Sequence, residues 1–219
     1  MNKSMTGAVV VFANLIPLIG VLFYEWDAVL VLALFWIENL IIGGFNLLKM
    51  ISCVVYLKAW PKLGLALFFV IHYGLFWTGH GIFLWDILGF DNIDESAVLG
   101  FKVDGLASLP AESAAIMVSF IRLYEPVIWL GLLGLFLSHL VQYIERFLLQ
   151  GQLFKTDVGK LMNEPYKHVI VLHAGLLGGA FLLNHFNSPV WLLALIVVLK
   201  LVMDVRSTLK SKTTLDVVV

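Results

Sequence analysis

Long apolar stretches dominate the chain, and short polar segments separate them. The stretches cover residues 7–24, 28–48, 63–85, 126–148, 166–186 and 189–206. A helix needs about 20 predominantly apolar residues to cross the roughly 30 Å hydrocarbon layer of a bilayer. The pattern therefore predicts an all-α fold in which residues 1–219 form a single integral membrane domain, a polytopic transmembrane bundle of six helices.

The longest connection between these stretches, residues 87–125, is expected on the outer side of the membrane. It begins with the acidic segment FDNIDES and continues into a predicted short helix near Pro110–Leu123. Ile116, Phe120 and Leu123 are spaced to share one face of that helix. This pattern predicts an interfacial helix lying on the outer leaflet. A re-entrant segment is the alternative.

The composition narrows the class of protein. Hydrophobic residues make up 61% of the chain and charged residues only 13%, against about 45–50% and about 25% in soluble domains. A water-soluble enzyme or a nucleic-acid-binding protein is therefore excluded, and we expect the lipid bilayer as the main partner. The small size leaves room for a homo-oligomer or a membrane-protein partner. The single cysteine, Cys53, excludes an internal disulfide.

The net charge of −1 does not indicate a function, but the positions of the basic residues predict an orientation in the membrane. If the N-terminus is cytoplasmic, 11 of the 14 Lys and Arg residues fall on the cytoplasmic side; the others are Lys102, Arg122 and Lys200. An excess of Lys and Arg in cytoplasmic loops sets the orientation of membrane proteins. The sequence thus predicts six spans with both termini cytoplasmic.

Polar side chains inside the predicted spans mark the candidate site, because ionisable groups within a membrane are costly and usually functional. They are Glu38, Asn39, Asn46, His72, His80, His139, His173, Lys200 and Asp204. Counting about 1.5 Å per residue from the predicted span ends brings members of five helices to one level in the inner half of the bilayer. On this count His80 lies nearer the outer face, at the level of His185 and Asp86.

Two chemical interpretations of this cluster remain open. In the first, Glu38, His72 and His173 bind a divalent metal such as zinc, for which imidazole and carboxylate are suitable ligands. In the second, the cluster is a hydrogen-bonded network without metal, in which Glu38 pairs with Lys200 and Lys200 with Asp204.

The two interpretations lead to different functions. The metal favours a membrane-embedded enzyme acting on a lipid or other apolar substrate, with His139 or Lys200 as the catalytic proton donor. The network favours a transporter of protons or metal ions, with His80, His185 and Asp86 near its outer opening. An accessory subunit of a membrane complex, whose polar core only fixes the helix register, is the third hypothesis.

Several strings also carry a family resemblance, and they are FWIENLIIGGFNLLKM, FFVIHYGLFWTGHGIF, FLSHLVQYIERFL, EPYKHVIVLHAGLLGG and LKLVMD. In this order they resemble an uncharacterised family of bacterial polytopic integral membrane proteins, a domain of unknown function. The resemblance implies a membrane bundle with a polar centre, in the inner (plasma) membrane of a bacterium. It adds Ser138 and Tyr166 to the polar hallmarks. The chain departs from the family pattern at Glu145 and Thr208. The resemblance supplies no activity.

Overall fold

The computed structural model describes residues 27–90, 93–186, 195, 198 and 199. The predicted first span, residues 7–24, and the site residues Lys200 and Asp204 lie outside this part. So does most of the predicted sixth span, residues 189–206. Within the described residues all regular structure is helical, and no strand occurs.

Seven α-helices are found in the described part of the chain. They are α1 Ala28–Tyr56, α2 Leu63–Ile87, α3 Glu95–Leu99, α4 Ser108–Leu123, α5 Val127–Gln142, α6 Val158–Asn163 and α7 Tyr166–Phe186. A π-helix, Tyr143–Leu149, continues directly from α5. Short 3₁₀ turns stand at Trp60–Lys62, Gly105–Ala107 and Gln152–Phe154.

Four helical segments of the described chain are long and apolar enough to cross a membrane. They are Val29–Tyr56, Trp60–Ile87, Gly105–Leu123 and Val127–Leu149. Helix α7 contains a shorter apolar stretch, Val169–Gly178. The all-helical prediction is confirmed, and the helices are those of a membrane protein. Helices α1, α2, α5 and α7 match predicted spans, but α1 continues past the predicted end at residue 48, because Lys49 does not interrupt a helix.

Helix α1 is the central helix of the bundle. Every residue from Leu30 to Ile37 is buried, and α1 contacts α2, α4, α5, α6 and α7. A helix that is apolar on all sides is shielded from water by other protein elements or by lipid, and here other helices surround it. The polar residues of α1 therefore lie among helices.

Helices α1 and α2 approach closely at a pair of tryptophans. Trp36 stacks on Trp77 with ring centroids 4.6 Å apart and an interplanar angle of 6°. The Trp36 Nε1–H donates to the backbone oxygen of Trp77 at 2.9 Å. A Cβ at Gly81 would overlap the Trp36 ring at Cζ2. The stack therefore depends on glycine at this position.

Helix α4, for which the sequence predicts an interfacial position, packs into the bundle. Ser113 Oγ donates to the backbone oxygen of Thr78 at 3.1 Å, and the Phe120 ring meets the edge of Trp85 at 5.1 Å. Ser113 and Phe120 are seven residues apart on α4, and their partners Thr78 and Trp85 are seven residues apart, in the same order, on α2. Helix α4 therefore runs parallel to α2. This direction places the start of α4 beside the middle of α2 and not at the end of α2 that precedes it in the chain. Phe120 is fully buried; its apolar spacing fits a protein surface as well as a lipid surface.

The connection 150–165 is folded against the helices. Leu153, Val158 and Leu161 are buried. Asp157 begins α6 by accepting a hydrogen bond from the Gly159 N–H at 2.8 Å. Hydrogen bonds from Lys62 and Gly159 hold the pKa of the Asp157 carboxyl below its usual value. This packing carries the chain along α2 before α7 begins.

Candidate functional site

The first buried ionisable pair joins α1 to α5. Glu38 Oε1 lies 3.6 Å from His139 Nε2, and Glu38 is 5% exposed. The His139 ring also stacks on Phe45, with ring centroids 6.1 Å apart. A carboxylate and an imidazole at this separation attract each other when the imidazole is protonated, and the attraction is stronger away from water. The pair can therefore hold or pass a proton.

The second pair joins α2 to α7. His80 Nε2 and His173 Nδ1 are 3.0 Å apart, and the two rings meet edge to face. The other nitrogen of His80, Nδ1, lies 2.7 Å from the backbone oxygen of Phe76. His80 is buried, whereas His173 is exposed in the described structure. The two imidazoles form a direct hydrogen bond between helices.

The third pair joins the same two helices nearer the start of α7. His72 Nδ1 and the Tyr166 hydroxyl are 2.5 Å apart. The His72 ring stacks on Phe68 and meets the edge of Phe76. Residue-by-residue reasoning missed Tyr166 as a partner. The signal that could have found it is the motif PY, seven residues before His173, which the family resemblance brought out.

The buried amides hold backbone segments in place. The Asn39 side chain donates to the Phe35 backbone oxygen at 2.8 Å, one turn earlier in α1, and the Tyr73 hydroxyl donates to the Asn39 backbone oxygen at 2.9 Å. The Asn46 side chain donates to the Leu161 backbone oxygen at 2.8 Å. The Tyr73 hydroxyl thus attaches α2, which carries His72 and His80, to the α1 backbone at Asn39. The Asn46 side chain attaches α6, the short helix that precedes α7, to α1.

The predicted metal ligands are distributed over different pairs. Glu38 contacts His139, His72 contacts Tyr166, and His173 contacts His80. Among the described residues, no group of three or more His, Cys, Asp or Glu side chains is arranged to hold a metal ion. The described residues therefore do not assemble the predicted ligand set of Glu38, His72 and His173.

The placement of His173 has a simple physical cause. Depth counting placed His173 near the level of His72, on the assumption that α7 starts at the membrane edge. Instead α7 begins beside His72, which is nine residues, or about 13 Å, into α2. His173 is therefore carried up to His80. Lys200 and Asp204, and with them the predicted Glu38–Lys200 pair, lie outside the described residues.

Three cavities lie beside these groups. One of about 450 Å³ lies between α2 and α7, and its lining is His80, His173 and six apolar or glycine residues. A second, of about 330 Å³, shares Gly79 and Phe83 with the first and contains Asp86 and Glu112. A third, of about 190 Å³, is lined by His139, Asn46, Lys49 and Glu164 among others. The His80–His173 pair and His139 of the first pair therefore border open space.

Fold and site together define a class of protein: a helical protein of the membrane type, with ionisable pairs between its helices. The chain belongs to the family described as "Family of unknown function (DUF6498)", whose model matches residues 1–216. This confirms the resemblance to an uncharacterised family. No curated protein and no solved structure matches the chain.

Proposed function

We propose that this protein carries protons across the bacterial inner membrane through its helical bundle. The observation that carries the proposal is the occurrence of two ionisable pairs between helices, Glu38–His139 and His80–His173. Ionisable residues inside membrane helices are typical of proton relays. Histidine suits this role because its pKa, about 6.5 when unperturbed, allows it to gain and lose a proton near neutral pH.

The positions of the cavities support the proposal. The cavity bordering His139 also contains Lys49 and Glu164, which form an ion pair of 3.8 Å at one end of the bundle. The cavity bordering His80 and His173 adjoins the one with Asp86 and Glu112, near the C-terminal end of α2. Because α1 and α2 run in opposite directions, Lys49 and Asp86 belong to opposite ends. Each pair thus has charged residues on its own side.

The orientation of the protein is part of the proposal. The bias of Lys and Arg places both termini and Lys49 in the cytoplasm. Asp86 and Glu112 then face the outer side. A proton entering from outside would meet His80 and His173 before Glu38 and His139. A homo-oligomer or a second membrane protein is compatible with this arrangement.

The test is proton flux into liposomes that contain the purified chain and an entrapped pH-sensitive dye, driven by an imposed potential. We expect flux well above that of empty liposomes, and at least a tenfold loss in Glu38→Gln and in His173→Gln. The matched control is Glu125→Gln, which removes the charge of an exposed carboxylate that accepts a hydrogen bond from Trp129. This variant should keep the flux. Full flux in Glu38→Gln, or no flux in the wild type, would contradict the proposal.

The metal-dependent enzyme remains a hypothesis from the sequence, with Glu38, His72 and His173 as ligands and His139 or Lys200 as proton donor. It has less support, because the described residues keep its three ligands in different pairs. Stoichiometric zinc in the purified protein, lost in His173→Ala, would favour it over the proton carrier.

A further inference from the structure

We infer that the cavity between α2 and α7 binds a long-chain amphiphile whose head group donates an O–H hydrogen bond to His173. This site does not depend on the proposed proton transport, because binding is measured without flux. The inference uses the lining of the cavity and the direction of the hydrogen bonds at the two histidines.

The cavity has the character of a site for a hydrocarbon chain. Its lining is almost wholly apolar: Leu75, Phe76, Gly79, Phe83, Leu176 and Leu177 accompany the two imidazoles. Its volume of about 450 Å³ lies within the range of roughly 300–1,000 Å³ typical of small-molecule sites. Leu75, Phe83 and Leu177, which line the cavity, are also exposed in the described structure. A chain could therefore enter sideways from the lipid.

The hydrogen bonds fix which nitrogen of His173 can serve a ligand. A backbone carbonyl only accepts, so His80 Nδ1 must donate its hydrogen to the Phe76 oxygen, 2.7 Å away. Neutral His80 then accepts at Nε2, and His173 must donate from Nδ1 across the 3.0 Å contact. Neutral His173 is left with a lone pair on Nε2. Among the described residues this nitrogen has no hydrogen-bond partner.

The head group follows from that lone pair. An acceptor nitrogen recognises a donor, so a hydroxyl or carboxylic acid fits, whereas an ether or ester does not. Both suitable head groups share one O–H, and both occur on long hydrocarbon chains. The apolar lining accepts the chain, and His80 holds the His173 ring in the accepting orientation.

The experiment uses the full chain in lipid nanodiscs and a photoreactive hexadecanol, with labelled peptides identified by mass spectrometry. We expect labelling on α2 and α7, in peptides containing Leu75–Phe83 and His173–Leu177. Unlabelled hexadecanol should compete about fivefold to tenfold better than its methyl ether, the range expected for loss of one hydrogen bond. Hexadecanoic acid and its methyl ester form a second matched pair and distinguish the two head groups.

Two variants separate binding from folding. In His173→Phe the advantage of hexadecanol over its ether should vanish, while labelling by the apolar chain persists. In Leu177→Trp, which keeps both histidines and fills the cavity, labelling should fall at least fivefold. Equal competition by alcohol and ether in the wild type would overturn the inference. So would labelling outside α2 and α7, or labelling unchanged in Leu177→Trp.

Discussion

At Gly81 the absence of a side chain lets Trp36 of α1 lie flat against α2. The indole of Trp36 both stacks on Trp77 and donates to its backbone oxygen. Buried aromatic pairs contribute stability beyond the area they bury. The sequence shows glycines in this span but not their roles, because the partner of each depends on a helix remote in the chain.

Gly81→Ala should destabilise the protein, because the new methyl group would overlap the Trp36 ring at Cζ2. Overpacking of this kind costs about 1–3 kcal/mol. Gly74→Ala is the matched control on the same helix, since nothing lies within 4 Å of a Cβ there. It should be neutral or, by removing a helical glycine, stabilising by up to about 1 kcal/mol. Thermal unfolding in detergent measures both; equal midpoints for the two variants would refute the packing argument.

At the level of helices, the sequence predicted which residues form a helix better than how the helices pack against one another. Apolar runs between polar residues gave the positions of α1, α2, α5 and α7, because length and hydropathy are local properties. They did not reveal that α4 packs along α2 or that residues 150–165 fold against the bundle. Those outcomes depend on contacts between remote residues, such as Ser113 with Thr78 and Asn46 with Leu161.

The direction of α4 gives a prediction that separates a helix beside α2 from a helix lying on the membrane surface. Leu106 and Leu123 are both exposed in the described structure. They are 17 residues, or about 25 Å, apart along the helix. With α4 parallel to α2, an impermeant maleimide added from outside should label Leu123→Cys at least tenfold faster than Leu106→Cys.

The labelling has a built-in control. The native Cys53 is fully buried, so wild-type protein should remain unlabelled in the folded state. A helix lying flat on the outer leaflet would give similar rates at both positions from the same side. That result would contradict the packing of α4 along α2 and support the interfacial position that the apolar spacing predicts.

For the molecule as a whole, the sequence predicted the polar side chains but not how they pair. Span membership is readable from hydropathy, so the sequence alone identifies Glu38, His72, His80, His139 and His173 as candidates inside the predicted spans. Their partners depend on the relative height of the helices. The observed height of α7 differs from the predicted one, because residues 150–165 pack along α2 and α7 begins beside His72. This start brings His173 to the level of His80.

The difference between one shared centre and separate pairs can be measured by double-mutant cycles. If His72 and His173 bound one metal, losing either ligand would release it, and losing the second would add little. With separate pairs, His72→Ala and His173→Ala should add to within about 0.5 kcal/mol in unfolding free energy. His80→Ala and His173→Ala, which remove two sides of one hydrogen bond, should instead deviate from additivity by about 0.5–3 kcal/mol. Because both cycles share His173→Ala, any general damage from that substitution cancels in the comparison. Strong coupling between His72 and His173 would support a single metal centre. Coupling confined to His80 and His173 would instead fit a bundle whose proton-bearing groups act in pairs.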